Sequence, residues 1–447
     1  MTLLPSILPA TPDRIPDLAP ILDAAGIDGV GLRHVVVKPN WVQESHEYLP
    51  DVWVPVITSP DLVLAVVETL GTRMPQGSTI SICDAPHTYA DFEAITSRGD
   101  FRRRLEALRA RLSHLQVELI DLRREVWIRA DEVVVERRAN PQDPRGYARL
   151  NLGRDSLFWL HAGEGRYYGA DYDARVVNEH HRGDVQEYLL AGTPIGCDLF
   201  VNLPKLKTHK KTGLTCCLKN LVGINGDKNW LPHHTEGSPR SGGDEFPAEG
   251  ATQRLERGLK KAGRRLALAL PGVGTWAYRR MRNAGKAVLG DSEATVRNGN
   301  WRGNDTTWRM TLDLNRALLY GNLDGSWRER EQPKRYLAIV DGMVGGEGNG
   351  PLCPEPVDSR VLVVGDNPAE VDAACARLMG FEPMDLPIVR EAFADHRWPI
   401  GRRPLAALEV DDRRIGKVIP LREVAAAVPG GFKPHFGWRS LNPGYGS

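Results

Sequence analysis

The chain has 447 residues, with 58 Lys/Arg against 57 Asp/Glu for a formal net charge of +1, and is 41% hydrophobic and 26% charged. These values argue against disorder as the dominant state, and they supply no global field that would draw the chain onto nucleic acid, so no nucleic-acid partner is expected. The length suits two domains or one elaborated α/β domain. Cys83, Cys197, Cys216, Cys217, Cys353 and Cys375 form neither a CxxC pair nor a zinc spacing, so they do not read as a disulfide framework. The N-terminal residues lack a basic region followed by a long apolar core, and no apolar run approaches the roughly 18–20 residues of a membrane span. The expected location is cytoplasmic, with peripheral contact to the inner face of a membrane kept open.

In chain order, short β-branched runs alternate with helical patterns, which predicts an α/β fold with a mostly parallel open sheet and covering helices. The predicted strands are Val35–Lys38, Thr79–Cys83, Asp198–Asn202, Leu337–Val340 and Val361–Val364. Predicted helices run from Ser59 or Asp61 to about Leu70, from Arg102 to Leu112 as a charged, exposed helix, and from Pro368 to Met379 with Gly380 as the stop. Within 251–290, ten Lys/Arg face a single acid, Glu256, giving a local charge of +9. The rhythm breaks there, which predicts an α/β core over 1–250 and 304–447 and an inserted basic helical lid or subdomain over 251–303. Arg254, Arg257, Lys261 and Arg265 at helical spacing, with Trp276 and Tyr278 beside an apolar patch, also suit an element lying on an anionic membrane surface. A lid over the site is the competing expectation.

Polar residues with chemical potential sit just after the predicted strands: Lys38 and Asn40, Asp84, Lys205 and Lys207, Asp341, and Asp366 with Asn367. In open parallel sheets, ligands bind beyond the carboxyl ends of the strands. Asp366, just before a Pro-started helix, reads equally well as a turn or cap residue. Residues 205–234 hold six lysines and three histidines against one acid, Asp227, interleaved with Leu206, Leu214, Trp230 and Pro232. An extended continuation puts Lys205, Lys207, His209 and Lys211 on one face, and a helix capped by Thr212 is predicted to follow. A helix start beside lysines favours anions. Lys205, Lys207, Lys211, Lys219, Asn220 and Lys228, with Asn40, are therefore the expected anion ligands. His209, Lys38, Asp84, Asp341 and Glu347 are the expected catalytic groups, Glu347 because it lies in a run with five glycines in the nine residues 342–350. That run reads as a flexible lid or a tight turn. Glu179, His180, His181, His233 and His234 form a weaker candidate set for a divalent metal, with hydrogen bonding or acid/base work as the alternative.

Taken together, Lys38-Pro39-Asn40, Asp84-Ala85-Pro86, Leu203 to His209, Leu218 to Gly223, Asp341-Gly342 with the following Gly-Pro, and Asp366 with Val371-Asp372-Ala373 and Leu378-Met379-Gly380 resemble the domain of unknown function 362 family. The resemblance covers most of 33–382, with Gly169 to Asp173, Asn178 to His181 and Asn225 to Glu245 resembling a longer subgroup. It implies an α/β fold and a shared site, and it brings no settled reaction. Many relatives carry an appended ferredoxin-like segment that binds iron–sulfur clusters. This chain has no CxxCxxCxxxCP run, so an iron–sulfur cluster is not expected. The functional expectation is an enzyme acting on an anionic, phosphate- or carboxylate-bearing small molecule or glycan precursor, with the reaction type open. The rival is a non-catalytic binding or assembly protein that docks an anionic partner or membrane surface.

Overall fold

In the computed structural model, which describes residues 3–130, 133–169, 174–248, 250 and 296–442, the apolar runs become strands of one 12-stranded mixed sheet. Its strands are β1 (Ser6–Pro9), β2 (His34–Pro39), β3 (Thr79–Asp84), β4 (Gln116–Asp121), β5 (Leu199–Leu203), β6 (Lys205–His209), β7 (Gly213–Thr215), β8 (Arg335–Asn349), β9 (Cys353–Val357), β10 (Val361–Gly365), β11 (Glu409–Asp412) and β12 (Lys417–Pro420). The order across the sheet is β12-β11-β1-β10-β8-β5-β2-β3-β4. Strands β8, β5, β2, β3 and β4 are mutually parallel, and β10 runs antiparallel to β8. Beyond the main path, β6 pairs in parallel with the later part of β8, β9 pairs antiparallel with it, and β7 folds back on β6.

The strands are apolar on both faces because helices cover both, as parallel sheets require. Val35 and Val37, Leu199 and Val201, and Leu337 and Ile339 face one core, whereas Val36, Phe200 and Ala338 face the other. The first core is closed by α1 (Pro60–Gly71) through Leu62, Val63, Val66, Val67 and Leu70, and by α2 (Phe101–Arg111). The second is closed by α3 (Cys217–Asn220), α4 (Thr307–Tyr320) and α5 (Pro368–Leu378). In α5, Asn367 caps the start by accepting from the amides of Ala369 and Glu370, both at 3.1 Å, and Gly380 takes a left-handed φ of 78° at the stop. Asp366 instead pairs with Arg402. The exposed helix expected over Arg102–Leu112 is amphipathic, since Phe101, Leu105 and Leu108 are buried.

From β2 the chain adds β3 and β4 on one side, then crosses to the other side of β2 for β5 and β8. The strand order therefore reverses between β2 and β5, and the crevice at their carboxyl ends is where α/β sheets of this kind bind ligands. Register places Asn202 beside Lys38 across that seam, and Lys205 beside Asp341 one step further on.

Two sequence expectations change here. The segment after Thr212 is not helical. Gly213 has φ 80° and begins β7, and α3 starts only at Cys217. Thr212 caps nothing, and its hydroxyl donates to Leu214 O at 2.8 Å. The glycine run 342–350 is not a lid either, since it lies largely within β8. Its glycines serve close approach: a Cβ at Gly346 would lie 2.9 Å from Pro55 O and 3.0 Å from Lys207 Cβ. The inserted helical element, including Arg254, Arg257, Lys261, Arg265, Trp276 and Tyr278, lies outside the described residues. Residues 296–303 pack on the body, with Trp301 Nε1 donating to Asp244 O at 2.8 Å. No helix among the described residues is long and apolar enough to cross a membrane.

Candidate functional site

The strand-end loops converge on a cavity of about 140 Å³, lined by residues 40 and 42 after β2, 84–87 at and after the end of β3, 209–211 and 215 around the β6–β7 turn, 219, 220, 222 and 223 from α3 onward, 228 and 233, and 351–352 after β8. Backbone bonds fix these loops to one another. Asn40 N donates to Leu203 O at 3.2 Å, and Ala85 N donates to Gly223 O at 2.8 Å.

Behind the wall lies a connected polar network. Lys38 Nζ stands 2.8 Å from Asp84 Oδ1, and Trp41 N donates to the other Asp84 oxygen at 2.7 Å. Lys38 also donates to Asn220 Oδ1 at 3.1 Å, and the same oxygen accepts from Asn40 Nδ2 at 3.2 Å. Asn220 Nδ2 donates to Asn202 Oδ1 at 2.7 Å, so this one amide locks α3 to both β2 and β5. Asn40 Oδ1 accepts from Lys207 Nζ at 3.1 Å, and Lys207 also donates to Val56 O at 2.5 Å. Lys205 Nζ pairs with Asp341 Oδ2 at 2.9 Å, and that oxygen also accepts from Ser59 N at 2.7 Å. Gly223 is required in this assembly because a Cβ there would fall 2.0 Å from Asp84 Oδ1 and 2.6 Å from Lys38 Nζ.

The cavity wall itself is cationic and poorly compensated. Lys211, Lys219 and Lys228 are 5%, 7% and 7% exposed. Lys228 Nζ donates to Val222 O at 2.6 Å; Lys211 Nζ donates to His233 O at 3.3 Å and to Asn298 O. Among the described residues, the Lys219 ammonium has neither a hydrogen bond nor an ion pair. Burial lowers all three lysines to about 7, with the Lys210 charge adding to the effect at Lys211. Burial also holds His209 and His233 well below the usual imidazole range, reinforced by neighbouring lysines, so both rings are neutral. Their tautomers differ. His209 Nδ1 accepts from Lys211 N at 3.0 Å, which leaves the proton on Nε2. His233 Nδ1 contacts Leu231 O at 2.8 Å and must donate to it, which leaves Nε2 as the acceptor nitrogen.

Of the residues singled out from sequence, Asn40, Asp84, His209, Lys211, Lys219, Asn220, Lys228 and His233 meet at this cavity. Lys38, Lys205, Lys207 and Asp341 form the layer behind it. Glu347 is apart, on β8, where its carboxylate accepts from Lys433 N at 2.7 Å. Glu179, His180, His181, His233 and His234 do not form a ligand set. His180 stacks on Trp230 with ring centroids 3.3 Å apart, both nitrogens of His181 are bonded to Trp230 O and Gln186 Oε1, and His234 stacks on Tyr168. The group of potential metal donors that does converge among the described residues is Cys216, Cys217 and Asp372, under α3. Sequence reasoning missed His87 and Leu352 as lining residues. His87 follows Asp84-Ala85-Pro86 directly and was within reach of the strand-end rule, whereas Leu352 is brought in only by the β8–β9 turn.

The chain is an α/β protein with a mixed, mostly parallel sheet and a lysine-lined cavity at its topological switch point. Residues 162–377 match the family model described as Domain of unknown function (DUF362). The matched segment contains β5 to β8 and α3, while Lys38, Asn40 and Asp84 lie upstream of it. No curated protein and no solved structure matches the chain.

Proposed function

We propose that the chain is an enzyme acting on a small anionic molecule that bears a phosphate or carboxylate, bound in the cavity between the ends of β2 and β5. The observation that carries the reading is Lys219, a buried cation at the cavity wall without a partner among the described residues, beside Lys211 and Lys228. Burying an ammonium group without compensation costs several kcal/mol. An anionic ligand would supply the missing charge and return the three lysines to their protonated form.

In this reading Lys211, Lys219 and Lys228 hold the anion. Neutral His209 offers its Nε2 proton to the bound molecule, a role suited to general acid work, and neutral His233 lines the same cavity. Asn40 and Asn220 orient the ligand, and Lys38–Asp84 anchors the floor. The depth of the lysines supports a small molecule over a flat macromolecular partner, because a docking surface keeps its charges exposed at a rim.

The test is equilibrium binding of inorganic phosphate, pyrophosphate, sugar phosphates and dicarboxylates to the wild-type chain and to Lys219→Gln. Saturable binding of at least one of them, weakened by about 10-fold or more in Lys219→Gln, supports the proposal, since a charge-assisted bond contributes roughly 1.5–3 kcal/mol. Equal affinity in both proteins, or no binding across the panel, contradicts it.

A further inference from the structure

We infer that Cys216, Cys217 and Asp372, with Cys375 as the neighbouring fourth donor, form a buried site for a thiophilic divalent cation of the zinc class. The site lies beneath α3, apart from the anion cavity. The Sγ atoms of Cys216 and Cys217 and a carboxylate oxygen of Asp372 all lie within 4.8 Å of one another. Cys375 Sγ is 3.5 Å from Cys216 Sγ. Two sulfurs sharing a tetrahedral zinc ion, at a bond length of about 2.3 Å, stand roughly 3.8 Å apart, close to the Cys216–Cys375 separation.

The donors are chemically matched. Sulfur-rich sites with one carboxylate select zinc-like ions over magnesium or calcium, which take oxygen ligands. All four residues are fully buried. The Asp372 carboxylate accepts from Cys217 N at 2.7 Å and Leu218 N at 3.0 Å, and among the described residues no cation pairs with it. A buried carboxylate beside two thiols, without an ionic partner among the described residues, is the charge arrangement that a divalent cation completes. Binding would proceed by coordination of the deprotonated thiols, with the displaced protons released to solvent and no change of oxidation state.

An outer layer holds the donors. Asn202 Nδ2 donates to Cys217 O at 3.0 Å and to the Tyr336 hydroxyl at 2.8 Å. Asn202 Oδ1 accepts from Asn220, the amide that ties α3 to the cavity floor. Such supporting bonds orient metal ligands elsewhere. The ion would therefore act as a structural clamp between α3 and α5, holding the turn from which Lys219 reaches the cavity.

The test uses full-length protein purified without chelators from cells grown with zinc, and separately with cobalt in place of zinc. About one equivalent of bound zinc is expected, together with a thiolate-to-cobalt charge-transfer absorption in the cobalt-grown protein. Cys217→Ala should lower the metal content at least 10-fold, whereas Cys353→Ala, outside the cluster, should leave it unchanged. If Cys217→Ala does not fold, the cobalt spectrum of the wild-type chain still decides the matter. Less than about a tenth of an equivalent of either metal in wild-type protein overturns the inference. So does a mass lower by two hydrogens that maps to a Cys216–Cys375 disulfide, or a metal content that Cys217→Ala leaves intact.

Discussion

Lys205 and Asp341 face each other across β6 and β8 at 2.9 Å, with side chains 1% and 0% exposed. The sequence marks Lys205 and Lys207 as anion ligands. Both ammonium groups instead sit behind the cavity wall, satisfied by Asp341 or by Asn40 and backbone oxygens. Removing one partner of a buried pair leaves the other uncompensated. Lys205→Ala should therefore destabilise the fold by about 3–5 kcal/mol, measured by urea unfolding. The double substitution Lys205→Met with Asp341→Leu should recover part of that loss. An unchanged unfolding midpoint for Lys205→Ala would place this pair outside the structural layer.

Gly223→Ala is the sharpest steric test of the cavity floor. The added methyl would sit 2.0 Å from Asp84 Oδ1, in the space of the Lys38–Asp84 pair. Overpacking of this kind costs about 1–3 kcal/mol. Both stability and pyrophosphate affinity should fall. A variant with full affinity and wild-type stability would mean that the floor yields freely.

Lys219→Met should stabilise the ligand-free protein, in the direction opposite to most core substitutions. The folded-state lysine is lowered from 10.5 to about 7, so between these values the unfolded chain binds more protons than the folded one. Stability contributed through this group therefore rises with pH across that window, and the burial cost is fully present below pH 7. In Lys219→Met the slope of stability against pH between about 7 and 8.5 should be shallower by roughly 1 kcal/mol per pH unit. Parallel curves for the two proteins would show that Lys219 is solvated.

The parts of this molecule that were legible from sequence are those governed by local pattern. Val35–Lys38 ends in a polar residue and Thr79–Cys83 is followed by one, Asp84, and both strand ends reach the site as the strand-end rule requires. The turn at Gly213 was not legible. Its local signal, a Thr-Gly pair before leucines, suits a helix start, but its backbone is held at φ 80° in a space closed by Leu386 and Trp438. The glycines of β8 likewise look like a loop until the close approach of Pro55 and Lys207 is known. Cys216 and Cys375 are separated by 159 positions, so no spacing rule could have joined them. The histidines failed in the other direction. Their sequence proximity suggested a ligand set, while stacking on Trp230 and Tyr168 and backbone bonds keep them apart.

The central claim is that Lys211, Lys219 and Lys228 form an anion site whose charge is completed by its ligand. The most direct measurement is calorimetric titration with inorganic pyrophosphate near pH 8, repeated in buffers of different ionisation enthalpy. With these lysines at about 7 in the free protein, most of their amines are neutral there, and a bound anion must raise their pKa values. Net proton uptake on binding is expected, one to three protons per pyrophosphate after correction for the ligand's own ionisation, with affinity falling as pH rises from 7 to 9 and with uptake reduced in Lys219→Met. Binding without proton uptake, or with an affinity that does not change over this range, would contradict the account.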